Sequence, residues 1–239
     1  HGEKWMRQRF EESAVRLLTN VFQVGLFENP YLNPQKSREA VGNPAYMKAG
    51  FEAQLKSIIM LKNRNKVIPL RQQAKVYIPK QTIPSRMTFM GMATPERIID
   101  PLNLEIVRKY FQVVDRPQDA DFAIVCVDSP DSGGGYDIED AKSGAGNGYF
   151  PINLQYLPYT AVTAREESMA GGDPLELITN RSYRNKTAKT SNQKDMESIL
   201  STRQVMGSKP VIVVMNLSNP TVVREFESRV DGILVHFGV

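Results

Sequence analysis

The sequence predicts an α/β fold: a mostly parallel sheet with helices on both faces, forming an α/β sandwich domain preceded by a helical arm. Three observations predict it. Residues 122–127 and 210–217 are apolar runs of strand length without polar alternation, the pattern of strands buried on both faces. From residue 71 onward such runs alternate with helix-period segments, as the crossovers of a parallel sheet require. Before residue 71 the patterns are helical or turn-rich.

Taken in order, residues 5–24 carry Val15, Leu18, Val21 and Phe22 at amphipathic helix spacing, and Gly25 is the expected stop. A turn follows at Asn29-Pro30. Residues 34–44 are polar and turn-rich and read as a connector. Asn43 can cap a second helix with Pro44 in its first turn, running through Phe51, Leu55, Ile58 and Ile59. Strands are expected at 75–78, 111–114, 122–127, 210–217 and 232–237. Helices are expected at 102–110, at 194–206 with Gly207 as terminator, and from Asn219-Pro220 to Arg229. There is no internal repeat and no low-complexity tract.

Composition excludes several classes of function. At 41% hydrophobic and 23% charged residues, the chain can build a core and is not a disordered one. Its 30 basic and 26 acidic residues leave a net charge of +4, too small to argue for nucleic acid or an anionic membrane as partner. The apolar runs are too short to cross a bilayer. Cys126 is the single cysteine, so no internal disulfide forms; within its apolar run a buried, inert thiol is expected. One cysteine leaves the compartment open, a periplasmic or secreted parent included. His1 and His236 lie at opposite ends and offer no metal-ligand spacing, and no cofactor is expected.

Residues 128–189 break the strand–helix rhythm. They hold Gly133-Gly134-Gly135, Gly144, Gly146, Gly148 and Gly171-Gly172 among several tyrosines. A long irregular insertion at the carboxyl end of a buried strand is where open α/β sheets place ligands; the alternative is a surface excursion without one. A phosphate loop at 133–135 is disfavoured, because no helix start is read close behind it. The basic run Arg181, Arg184, Lys186, Lys189 and Lys194 could meet an anion, but the small net charge favours a solvated loop.

Six segments together resemble one family. Residues 56–70, KSIIMLKNRNKVIPL, are similar to the "SIVLLKN…LPL" passage that opens the second domain of family 3 glycoside hydrolases. Residues 24–31 resemble "LGLFDNPY", and 120–127 resemble "ADVAVVVVG". Residues 134–137 resemble part of "GEGYDR", 209–216 "KPVVVVLN", and 230–234 "VDAIL". They occur in the family's order and cover most of the chain.

The resemblance implies hydrolysis of terminal β-linked sugars with retention of configuration, as in β-glucosidases and β-xylosidases. It requires a nucleophilic carboxylate and an acid/base carboxyl. The nucleophile would come from a preceding barrel domain absent from this chain, and the acid/base from a loop of the α/β domain. Residues 1–33 are then the helical end of that barrel domain, 34–70 a connector and helix, and 71–239 the α/β sandwich domain, truncated at its C-terminus. Carbohydrate and the barrel domain are the implied partners. The isolated fragment is expected to be inactive.

The family's acid/base Glu aligns with Gly134, which cannot donate a proton. Asp128, Asp131, Asp137, Glu139 and Asp140 are the neighbours that could, and Glu139 ranks first because it keeps the residue type. Its bland alternative is a solvated surface charge. Asp131, Gly134, Gly135, Tyr136 and Asp137 are the implied substrate contacts. Tyr136, Tyr149, Phe150, Tyr156 and Tyr159 could stack on sugar faces, one or two of them at most. Lys62 belongs to the opening signature and is expected to be structural. Two further readings stand beside this one. The first is a sugar-binding or domain-packing module without an acid, motivated by Gly134. The second is a flavodoxin-like nucleotide domain, which fits the strand pattern but lacks a phosphate loop.

Overall fold

The computed structural model describes residues 2–87, 92–144, 146–169 and 180–238. Gly171-Gly172 lies outside the described residues. The chain divides into two compact units, His1–Lys56 and Ser57–Val239.

The first unit holds α1 (Glu3–Gln23), α2 (Pro34–Ala40) and α3 (Pro44–Ser57). Gly25 takes φ +67 just past α1, the left-handed conformation that ends helices. The expected connector contains α2, because the Asn33 side chain caps it at Gln35 and Lys36 and Pro34 fits the first turn. Asn43 caps α3 as expected, its Oδ1 accepting from the Ala45 N–H at 3.0 Å. None of the three helices buries a residue.

The second unit is an α/β domain. In chain order its strands are β1 (Ile59–Asn63), β2 (Lys75–Tyr77), β3 (Gln81–Ile83), β4 (Arg86–Met87), β5 (Ala93–Thr94), β6 (Arg97–Ile99), β7 (Gln112–Val114), β8 (Phe122–Asp128), β9 (Tyr159–Thr160), β10 (Thr187–Ala188), β11 (Val211–Asn216) and β12 (Gly232–His236). Its helices are α4 (Leu104–Val107), α5 (Ile138–Lys142) and α6 (Gln193–Met206). The central sheet runs β1-β12-β11-β8-β2-β7. Five of its strands are parallel, and β1 is antiparallel to β12 at one edge. Among the described residues three antiparallel pairs stand outside it: β3 with β6, β4 with β5, and β9 with β10.

Register explains the core. Val211, Val213 and Met215 pair with Ala123, Val125 and Val127, so all six side chains share one face. Ile199, Met196 and Met206 of α6 pack there with Tyr156, Phe226 and Val230. On the other face Phe122, Val76 and Ile212 meet Phe111 and Val107 of α4. The apolar strands are thus covered on both sides, as their lack of alternation predicts.

Three local expectations fail. The helix expected to run through Ile59 ends at Ser57, and the apolar run behind it becomes edge strand β1. The 102–110 helix shrinks to the single turn of α4, capped by the Asn103 side chain. The helix expected over 219–229 is two 3-10 turns, Val223–Glu225 and Glu227–Arg229. Phe226 between them is fully buried, and the Glu225 carboxylate accepts from the N–H groups of Tyr156 and Leu157, so tertiary contacts override a continuous helix. Lys62 is structural, as expected: its ammonium donates to the Glu227 carbonyl and carboxylate.

Ile199 is fully buried between α6 and the sheet. Truncation of Ile199 to Ala removes most of that side chain from a packed site. The expected cost is about 2–5 kcal/mol, read as a fall in the urea midpoint without a change in slope.

Candidate functional site

The site begins where β8 ends. Asp128 closes the strand, and its carboxylate accepts from Asn216 Nδ2 at 2.9 Å and Gln81 Nε2 at 3.2 Å. Asn192 and Asp195, at the start of α6, reach the same point. Asp195 Oδ2 accepts from the Asp128 N–H and from Asn192 Nδ2, each at 3.0 Å. Asn192 Nδ2 also reaches the carbonyls of Asp128 and Ser129, while its Oδ1 accepts from the Asp131 N–H at 2.9 Å. The parallel strands follow the order 2-1-3-4-5, which puts the switch point between β2 and β8. There, where a flavodoxin-like domain would hold its ligand, Gln81, Asp128 and Asp195 fill the gap with protein side chains.

The loop beyond is held by polar side chains. Tyr156 is fully buried, and its hydroxyl donates to the Asp128 carbonyl at 2.6 Å. Asp131 accepts from the Gly133 N–H and pairs with Arg86 at 3.3 Å. A helix does start close behind the glycine run, contrary to expectation: α5 begins at Ile138. It spans five residues, and Asp137 Oδ1 already takes the Glu139 N–H at 2.9 Å, so it offers no phosphate cradle. Asp140 Oδ2 accepts from the Gly148 N–H and the Lys186 ammonium, both at 2.8 Å. The Lys186 hydrogen bond, then that of Gly148, holds the Asp140 carboxyl below its usual range. Gly148 has φ +78, and a Cβ there would stand 2.5 Å from the Tyr136 ring, so only glycine lets the chain pass.

Two adjoining clefts of the loop share residues of its glycine run. The larger, about 690 Å³, is walled by the rings of Tyr149, Phe150, Tyr159 and Tyr183 with Ile152 and Leu154. The smaller, about 260 Å³, is lined by Tyr136, Asp137 and Lys189 among others. Gly134, Gly135 and Phe150 belong to both. Of the expected contacts, Gly134, Gly135, Tyr136 and Asp137 therefore meet at the clefts, while Asp131 serves the loop framework. Glu139 lines neither cleft; it is exposed on α5, 3.2 Å from Lys142. Of the five aromatic candidates, Tyr149, Phe150 and Tyr159 reach the larger cleft and Tyr136 the smaller; Tyr156 is core. Tyr183 and Ile152 were not singled out for contact by sequence reasoning, because no periodicity marks irregular loop walls.

The basic run is not a solvated stretch throughout. Lys186 is half-buried and stands 4.6 Å from the Phe150 ring centre, Arg184 pairs with Glu166, and Lys194 pairs with Glu96. Among the described residues no helix is long and apolar enough to cross a membrane, and no group of three or more His, Cys, Asp or Glu could hold a metal ion.

A mostly parallel α/β domain that carries a cleft-bearing loop at the carboxyl end of a central strand is a ligand-site architecture. Residues 58–238 match the glycosyl hydrolase family 3 C-terminal domain, and the chain belongs to that family. It is 29% identical over 126 residues to probable beta-glucosidase C of Aspergillus flavus, covering 51% of this chain and 17% of that protein. It is 30% identical over 96 residues to a periplasmic beta-glucosidase/beta-xylosidase of Dickeya chrysanthemi, covering 39% of this chain and 14% of that protein. The chain thus spans about a sixth of the length of these curated relatives. A beta-glucosidase structure from Listeria innocua shares the fold over 93% of this chain and 27% of its own, with a TM-score of 0.50 and 15% identity.

Burial shapes the chemistry at the end of β8. It pushes the Cys126 thiol up to about 12, helped by the charges of Asp128 and Asp195. It also raises the Asp195 carboxyl to about 6; the hydrogen bonds from the Asp128 N–H and Asn192 oppose the shift, and the Asp128 charge adds to it. A carboxyl whose folded value is raised stabilises the fold fully below its unfolded value of about 3.9, and that contribution is lost as pH rises through the folded value. Urea unfolding at pH 4 and pH 7 should show about 2 kcal/mol of this loss in the native chain and none of it in Asp195→Asn. Parallel pH profiles for the two proteins would refute the assignment.

Proposed function

We propose that this chain is the acid/base-bearing half of a retaining β-glycosidase that hydrolyses terminal β-linked sugars. Its nucleophile would be supplied by a barrel domain of the parent protein. Family membership supports the reaction class, and the names of the relatives suggest glucose or xylose as the sugar. The observation that carries the reading is the loop leaving β8, which sets two adjoining clefts beside a run of carboxylates.

Among those carboxylates, duty separates the candidates. Asp128 is bonded to Asn216 and Gln81, Asp131 to Arg86 and Gly133, Asp137 to the Glu139 N–H, and Asp140 to Lys186 and Gly148. Among the described residues the Glu139 side chain holds no backbone group, and its one ion pair is an exposed i,i+3 contact with Lys142, worth well under about 1 kcal/mol. It can turn toward a substrate at little cost. A donor for a site completed by another domain need not line a cleft of its own.

In the parent enzyme, Glu139→Gln is expected to lower turnover of unactivated β-glucosides by about 10²–10⁴-fold. Dinitrophenyl glycosides, whose leaving group needs no proton, should lose far less in kcat/KM, and azide should restore turnover by replacing base-activated water. Gly134→Glu on the Glu139→Gln background tests the loop itself: a Cβ at Gly134 meets nothing within 4 Å, so a carboxyl fits there, and partial recovery is expected. Unchanged hydrolysis by Glu139→Gln would remove that residue and favour a non-catalytic, sugar-binding domain. The isolated chain should turn over no aryl glycoside.

A further inference from the structure

We propose that Lys186 is a positioning residue: it locks residues 136–149 into one fixed loop and, through Asp140, holds α5 and the neighbouring Glu139 in place. The inference rests on the reading of Glu139 as the acid, because placing a proton donor matters only where there is one.

Backbone closes this loop at its neck. The Asp137 N–H donates to the Gly148 carbonyl at 2.7 Å, and the Phe150 N–H to the Gly135 carbonyl at 2.9 Å. Tyr136 and Tyr149 form an isolated bridge there, with their ring centres 5.1 Å apart. Between the two ends stand α5 and the return through Gly146, Asn147 and Gly148. A helix of five residues is too short to be stable by itself, and none of the five is buried. Apolar packing therefore does not hold α5, and polar contacts must.

Asp140 supplies the inner contact, and Lys186 completes it. Asp140 Oδ2 accepts from the Gly148 N–H and from the Lys186 ammonium, both at 2.8 Å. A Cβ at Gly146 would stand 2.1 Å from the same oxygen, so the returning chain wraps the carboxylate closely. Lys186 arrives from the far end of the excursion, just before β10, and also donates to Asn147 Oδ1 at 2.9 Å. Asn147 Nδ2 in turn donates to the carbonyls of Asn180 and Ser182, at 2.8 and 2.6 Å. One ammonium thus joins α5, the return of the loop and the segment 180–186. The Lys186 side chain is 22% exposed and stands 4.6 Å from the ring centre of Phe150, which lines both clefts. Charge-assisted hydrogen bonds shielded from water are the strong ones, and their loss leaves a carboxylate without its counter-charge. The exposed pair between Glu139 and Lys142 is weak by comparison, so the backbone at Glu139 takes its place from Asp140 beside it.

Amide exchange on this chain reads the lock. Lys186→Cys should speed exchange of the Gly148 and Asp137 N–H groups by about tenfold, with Val125 and Val213 in the sheet unchanged. Alkylating the introduced thiol with 2-bromoethylamine, whose bromide the thiolate displaces, rebuilds an ammonium at nearly the length of lysine and should restore slow exchange. Cys126 is the chain's one cysteine, and its thiol, pushed up to about 12 by burial, does not compete. In the parent enzyme, Lys186→Met and Gly146→Ala should each lower kcat on unactivated β-glucosides by about 10–100-fold with KM little changed. Neither should add a further loss in the Glu139→Gln background, whereas a residue that only stabilised the domain would cost both backgrounds alike. Native exchange at Gly148 in Lys186→Cys, no recovery in the fully alkylated chain, or equal losses in the two backgrounds would each overturn the proposal. Unchanged hydrolysis by Glu139→Gln would instead defeat the acid reading, which the exchange results do not depend on.

Discussion

The buried carboxylate of Asp195 is the constraint on which the site depends. It sits at the start of α6 and takes the backbone N–H of Asp128, the last residue of the central strand. A strand end that gives way to an irregular loop leaves backbone groups without ladder partners, and a buried amide without one costs about 1–3 kcal/mol. Asp195 and Asn192 meet that need from a neighbouring helix. The same contacts fix the direction in which residues 128–131 leave the sheet. The departure of the loop from the sheet is therefore aimed by two side chains at the start of α6.

Beyond that root the loop is built differently from the domain beneath it. The domain is held by interlocking apolar faces; the loop is held by polar side chains, several of which reach backbone. Ser129 bonds Ser218, Asn153 bonds the Leu157 carbonyl, Glu225 takes two N–H groups at Tyr156 and Leu157, and Lys186 joins Asp140 to Asn147. Tyr156 enters the core, but most of the loop's apolar side chains do not. Tyr149, Phe150, Ile152 and Leu154 are consequently free to line a cleft. The polar scaffold and the apolar cleft are two consequences of one arrangement.

This difference also decides what could be read from the sequence. The central strands were legible because unbroken apolar runs have few other uses, and α6 was legible because Gly207 ends it with φ +58. Strand β1 was not, since an apolar stretch after a helix reads equally well as more helix. The turns around Phe226 were hidden because a buried phenylalanine and a carboxylate bonded across the fold outweigh local helix pattern. In the candidate site, the glycine run marks the loop that carries both clefts, and Gly134 and Gly135 line both. The Lys186 clamp and the contribution of Tyr183 were illegible: each joins positions more than thirty residues apart, with no period to betray them.

The position of Glu139 carries the argument about division of labour one step further. A general acid works best where water is scarce, and its side chain here is 76% exposed. If Glu139 is the proton donor, as proposed, its dry surroundings would come from outside this domain. On the proposed reading, a site of that kind would be completed only by the other wall. The glycine at 134 fits this logic, for it leaves the mouth between the two clefts open, with nothing within 4 Å of where a side chain would begin. If the acid is Glu139, as proposed, the mouth at Gly134 stays open and the donor depends on a partner domain for its shielding.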